Sequence, residues 1–153
     1  MDYGLEKYIG LVVKSDKRIS LIKVPEPIKI IQRRGSNITG VLTKKRACDF
    51  IGWLEGGQAV YLEAKATKSP RRWTLDNRLR SHQLDWLIAA DKMGALACVL
   101  VRRATGSDYL LPVSGEGLPF SGPSVLWDDL DPYKIPPRRS FVDLLIKRHG
   151  GQK

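Results

Sequence analysis

Cys48-Asp49-Phe50-Ile51-Gly52-Trp53-Leu54-Glu55-Gly56-Gly57-Gln58-Ala59-Val60-Tyr61-Leu62-Glu63-Ala64-Lys65 is the stretch on which the reading of this chain turns. Gly56-Gly57 separates two apolar runs, the signal of a β-hairpin whose tight turn needs residues free to take positive φ. In the second run Val60, Leu62 and Ala64 alternate with Tyr61, Glu63 and Lys65. Side chains two apart on a strand share a face. Glu63 and Lys65 therefore point the same way, from a strand whose opposite face is apolar. The hairpin brings Asp49, at the start of the first run, beside them.

Two carboxylates and an ammonium on one patch suit phosphodiester hydrolysis. Carboxylates are hard oxygen ligands that hold magnesium while leaving positions open for water and phosphate. Such an ion acts as a Lewis acid and lowers the pKa of bound water. A lysine beside it can orient or deprotonate that water and offset charge building on the phosphate. The plainer account of Glu63 and Lys65 is a surface ion pair worth at most ~1 kcal/mol.

The charge balance points to the same class of partner. Lys and Arg number 26 against 16 Asp and Glu, a net charge of +10. Such an excess favours a polyanion through phosphate contacts and counterion release. The chain has 153 residues, 42% of them hydrophobic, enough for one domain with its own core. We take 1–149 as that domain and 150–153 as a frayed tail. Cys48 and Cys98 fall in expected strands and read as buried free thiols, which fits a cytoplasmic protein. No apolar run approaches the ~20 residues that span a bilayer, and no signal-peptide layout opens the chain.

Around the central hairpin the chain orders itself simply. Residues 2–14 read as a helix, with Asp2 as a cap and a stripe of Leu5, Tyr8, Ile9, Val12 and Val13. Glu6 flanks that stripe, as a solvated helix residue or as a third carboxylate for the site. Ile19–Val24 and Ile28–Gln32 are short strands on either side of Pro25-Glu26-Pro27. Residues 32–46 are polar and basic, with Arg33, Arg34, Lys44, Lys45 and Arg46, and read as an exposed excursion or a projecting hairpin that touches DNA.

Thr67 to Arg80 carries Lys68, Arg71, Arg72, Arg78 and Arg80, with Trp73 among them. Arginine grips phosphate and an indole stacks on a base; Trp73 is equally open to a role as a core anchor. Residues 80–93 read as a helix with an apolar face of Leu84, Leu87, Ile88 and Met93, stopped by Gly94. Gln83, in its first turn, can point at the site. Ala95–Val101 is continuously apolar, as a buried central strand would be, and Arg102-Arg103 end it. Tyr109–Val113 is another strand, 114–139 is largely loop, and Ser140 caps a last helix that turns Phe141, Leu144 and Leu145 inward.

The order helix, strands, Asp…Glu-x-Lys, helix, strand resembles the PD-(D/E)xK nuclease superfamily. Gly4-Leu5-Glu6-Lys7, Pro25-Glu26-Pro27-Ile28, Asp49-Phe50-Ile51-Gly52, Leu62-Glu63-Ala64-Lys65-Ala66-Thr67 and His82-Gln83-Leu84-Asp85-Trp86-Leu87 resemble the successive motifs of RecU-type Holliday-junction resolvases. Glu-Ala-Lys-x-Thr followed by His-Gln on a helix is much more specific than Glu-x-Lys alone. The chain departs from that pattern in lacking a proline before Asp49, and in carrying Cys48 where this branch usually has a small hydroxyl residue.

The resemblance implies an α/β (α+β) fold with a restriction-endonuclease-like core, a central mixed sheet flanked by helices. It implies Asp49, Glu63 and Lys65 as the catalytic trio, with Glu6 and Gln83 completing the site. It implies magnesium or manganese held by Asp49, Glu63 and Glu6, and a homodimer that nicks opposing strands of a four-way DNA junction. Competing expectations are an endonuclease of the same core acting on duplex, flap or mismatched DNA, and a DNA-binding module without hydrolytic activity.

Overall fold

The computed structural model describes residues 4–26, 28–42, 46–75 and 79–150. Helix α1 (Leu5–Ser15) leads into strand β1 (Ile19–Lys23). Then come β2 (Ile28–Arg34), β3 (Asn37–Leu42), β4 (Phe50–Leu54), β5 (Ala59–Thr67) and β6 (Arg72–Thr74). Helix α2 (Ser81–Lys92) precedes β7 (Leu96–Arg103) and β8 (Asp108–Val113); β9 (Ser124–Leu126), a 3-10 turn (Asp128–Tyr133) and α3 (Phe141–Gly150) follow.

Five strands form one sheet in the order β1-β4-β5-β7-β8. All its neighbours are antiparallel except β5 and β7, which run parallel. A parallel pair needs a crossover, and the segment carrying β6 and α2 supplies it. The sheet is therefore mixed and flanked by helices, as the resemblance implied.

Each face of the sheet has its own core. On one, Leu62 of β5 and Leu96, Cys98 and Leu100 of β7 pack with Leu5 and Ile9 of α1 and with Phe141, Val142 and Leu145 of α3. On the other, Ala97, Val99 and Val101 of β7 pack with Leu87 of α2, Trp73, Tyr109 and Trp127. The whole run 96–101 is buried, because β7 is covered on both sides, which is why it lacks polar alternation. Burying Leu5 and Ile9 completely stabilises α1 on the sheet by roughly 1.5–3 kcal/mol for each side chain.

Several local expectations need correction. Helix α1 starts at Leu5 with Gly4 as its N-cap at φ 75°; Asp2 lies outside the described residues. Met93 is 89% exposed. It caps α2 beyond the last helical residue, while the buried stripe runs through Gln83, Leu87 and Ala90. Cys48 precedes β4 rather than lying within it, though both cysteines are buried and free. Gly150 still belongs to α3. The span 114–139 is more structured than its Gly and Pro content indicates: β9 pairs with β6, and Trp127 and Leu130 are buried.

The basic excursion is a hairpin. Strands β2 and β3 form a separate two-stranded sheet turning at Gly35, with a register shift between Ile30 and Gln32. Every side chain from 30 to 41 is exposed, so the hairpin stands off the body. No helix of the described residues is long and apolar enough to cross a membrane.

Two positions show why glycine is needed in the central hairpin. Gly56 and Gly57 take φ of 91° and 93° in its turn, a conformation that L side chains rarely adopt. At Gly52 a Cβ would lie 1.8 Å from the Ser20 carbonyl oxygen of the neighbouring strand. Gly52→Ala is therefore expected to push β1 away from β4 and cost about 3 kcal/mol, the upper end for overpacking. Urea unfolding checks this; an unchanged midpoint would contradict the close approach.

Candidate active site

The hairpin register builds the site. Phe50 pairs with Leu62, so one step further Asp49 comes opposite Glu63. The Ala64 N–H donates to Asp49 Oδ2 at 2.9 Å, which fixes the aspartate against β5. Asp49 is 3% exposed and Glu63 0%. Strand alternation that buries Val60 and Leu62 against α1 and α3 turns Tyr61, Glu63 and Lys65 towards α2.

The first turn of α2 closes over them. Lys65 Nζ lies 2.5 Å from Glu63 Oε1, and Gln83 Nε2 donates to that same oxygen at 2.6 Å. Gln83 Oε1 in turn accepts from Lys65 Nζ and from the Arg80 N–H, each at 3.2 Å. One amide thus holds the acid, the lysine and the start of its own helix. A glutamine on the buried stripe of α2 is explained by what lies beneath it: two charged groups that need partners, not apolar side chains.

Two oxygens remain short of partners. Glu63 Oε2 is buried and accepts no hydrogen bond from the described residues. Asp49 Oδ1 lies 2.5 Å from Arg46 Nη2, within ion-pair range but outside hydrogen-bond geometry. Arg46 Nη1 is 3.7 Å from Glu26 Oε1. Burial, then the charge of Asp49, push Glu63 up to about 7, against the opposing pull of the Lys65 ammonium. Paired buried carboxylates with orphaned oxygens require a proton or a cation. These hard oxygens could hold a divalent ion.

The structure thus gathers Asp49, Glu63, Lys65 and Gln83 in one cluster. Glu6 does not join it: its carboxylate pairs with Lys23 of β1, and among the described residues no three His, Cys, Asp or Glu form a metal-holding group. The expected three-carboxylate set is therefore two carboxylates here, because the β1 lysine claims the helix glutamate.

The basic residues divide differently from expectation. Arg33 and Arg34 sit exposed by the turn of the β2–β3 hairpin, and Lys68, Arg71, Arg72 and Arg80 are exposed beyond β5. Lys44, Lys45 and Arg78 lie outside the described residues. Trp73 is no stacking platform. It is 0% exposed, with its ring edge-on to Phe120 at 5.9 Å, because β6 pairs with β9 and turns its middle residue into the core. Arg46 was expected on the DNA surface, but it faces Asp49. Arg102 and Arg103, expected only to end their strand, add two further cations at the close of β7.

The model of a family described as recombination protein U matches residues 4–115, well over half of the chain. The matched segment runs from α1 through β8 and contains the whole cluster. No curated protein matches the chain significantly.

The raised Glu63 carboxyl makes stability depend on pH. Unfolded, the group ionises near its ordinary 4.5; folded, it keeps its proton up to about 7. The folded state therefore binds more protons across that window, and stability falls as pH rises through it. Glu63→Gln, neutral throughout, is expected to melt higher than wild type at about pH 8 in chelator and no higher at about pH 3, since the penalty is absent where both states are protonated. Thermal melts across pH check this, and parallel profiles for the two proteins would contradict it.

Proposed function

The chain belongs to the recombination protein U family, and from that premise we propose that it is a Holliday-junction resolvase. In this reading it is a magnesium- or manganese-dependent endonuclease that nicks opposing strands of four-way DNA junctions by phosphodiester hydrolysis. The observation that carries the reading is the cluster itself. Two buried carboxylates, each with an oxygen lacking a hydrogen bond, stand beside a lysine on a strongly basic chain.

Asp49 and Glu63 would hold the ion, with Ala64 N–H and Gln83 Nε2 fixing one oxygen of each. Bound there, magnesium supplies Lewis acidity and a water of lowered pKa. Lys65 orients the attacking water in line with phosphorus and offsets charge developing on the phosphate. Gln83 acts through Lys65 and Glu63 as a positioning residue, keeping the ammonium from swinging away. Glu6, tied to Lys23, is left outside this donor pair.

Two symmetric cuts need two sites related by a two-fold axis, and one chain carries one cluster, so the working form is a homodimer. Leu11 of α1 and Trp53 of β4, both more than half exposed, mark the apolar ground available for pairing. The β2–β3 hairpin presents Arg33 and Arg34 to the junction arms.

Asp49→Asn and Glu63→Gln are each expected to lower magnesium-dependent junction cleavage by at least ~10³-fold, the scale of losing an essential charge-stabilising group, while binding persists on the basic surface. A side-by-side assay on four-way, flap and linear duplex DNA decides the substrate. Wild-type cleavage by either variant contradicts the active site, and equal cleavage of linear duplex contradicts the resolvase. Arg46 competes with the ion for Asp49 Oδ1 in this scheme. Arg46→Ala should therefore bind manganese about tenfold more tightly by calorimetry, a change of ~1.4 kcal/mol; unchanged affinity would exclude the competition.

A further inference from the structure

The far end of the parallel pair carries a groove that the cluster does not use. It is lined by Lys68, Arg102, Arg103, Ala104 and Gly106, with a volume of about 740 Å³. Three of those five residues are cationic, and the other two are small enough to leave backbone accessible.

Register places this groove relative to the cluster. Glu63 pairs with Val99, Lys65 with Val101 and Thr67 with Arg103. Residues two apart on a strand share a face, and paired residues of neighbouring strands lie side by side. Arg103 therefore emerges on the face that carries Glu63 and Lys65, one strand over and two residues further along. Two residues of strand advance the chain by roughly 6.6 Å. That is the order of the gap between successive phosphates of one DNA strand.

The Arg103 guanidinium is braced rather than loose. Its Nη2 donates to the Pro70 carbonyl at 2.5 Å, and its central carbon lies 5.4 Å from the Trp127 ring centroid. Its Nε is buried with no hydrogen-bond partner among the described residues. Arg102 is different: it forms two hydrogen bonds to Asp108, at 2.7 and 2.8 Å, so its charge is largely met within the chain. Among the described residues Arg103 meets a neutral carbonyl and an aromatic face, and Lys68 sits exposed at the same rim. A fixed cation that meets no carboxylate among the described residues is suited to a phosphate, which a guanidinium recognises through its planar fork.

We infer that this groove is a second phosphate site, in which Arg103 and Lys68 hold the backbone phosphate next to the one being cut. The inference rests on the nuclease reading, since it takes Lys65 as the marker of the scissile position. Its consequence is a fixed strand path, running from the cluster along β5 and β7 to their C-terminal ends. Two held phosphates fix the direction of the strand as well as its position, so in-line attack becomes a matter of geometry already set by binding.

The test uses the full-length chain with a synthetic four-way junction in chelator, where binding is measured without cleavage. Affinity is followed from low to moderate salt for wild type, Arg103→Ala, Arg103→Lys and Lys68→Ala. Loss of one phosphate contact is expected to weaken binding about tenfold and reduce the slope of log affinity against log salt by about one. Arg103→Lys should keep the slope while losing part of the affinity, because charge remains and the fork does not.

Were Arg103 only a brace for Pro70 and Trp127, Arg103→Ala would lower the melting temperature and leave the salt slope at the wild-type value, which would overturn the inference. Should that variant fail to fold, Lys68→Ala, at an exposed site, decides the matter alone: an unchanged slope overturns it. Wild-type cleavage of the junction with unchanged slopes removes this site and spares the resolvase. Reduced slopes in a wild type that cuts no DNA keep the phosphate site and remove the resolvase.

Discussion

Two carboxylates buried side by side are the constraint on which this structure depends. Asp49 and Glu63 are almost wholly removed from water, where two like charges are costly unless a proton, a cation or donors intervene. The chain supplies part of the answer itself. Ala64 N–H, Gln83 and Lys65 meet one oxygen of each acid, Arg46 stands against a third oxygen, and the fourth is left orphaned. Glu63 responds by holding its proton to about 7. A fold seeking only stability would place an apolar residue there; buried carboxyls held off their ordinary pKa are typical of sites that act.

The rest of the architecture can be read as support for that pair. The β4–β5 register fixes which carboxylate faces which. Cores on both faces of the sheet hold β5 and β7 rigid, and α2 brings Gln83 down onto the acids at its first turn. The parallel pairing of β5 with β7 then carries the same face outward to Arg103. Rigid strands position reactive groups more closely than loops do. The β2–β3 hairpin, exposed from 30 to 41, is the opposite kind of element: charge on an arm with little packing beneath it.

Much of this was legible in the sequence because strand alternation is a strict rule. Val60, Leu62 and Ala64 against Tyr61, Glu63 and Lys65 gave the face of the site, and the unbroken apolar run at 95–101 gave the central strand. Trp73 was harder, because its neighbours are arginines and its burial comes from β9, more than fifty residues away. Glu6 was expected beside Asp49 and Glu63, and no local pattern reveals that Lys23, brought in by β1, pairs with its carboxylate. Arg46 lay in a basic run where nothing marks one cation as turned inward. Trp73 turns on a partner strand far along the chain, whereas Arg46 faces Asp49 only three residues on; periodicity encodes neither kind of pairing.

The central claim, that Asp49 and Glu63 jointly hold a divalent ion, is tested most directly by the anomalous scattering of manganese in crystals of the metal-soaked protein. The account predicts one strong peak within bonding distance of both carboxylates, with the Arg46 guanidinium displaced from Asp49. Manganese bound elsewhere, with the Arg46–Asp49 pair intact and Glu63 still joined only to Lys65 and Gln83, would contradict it.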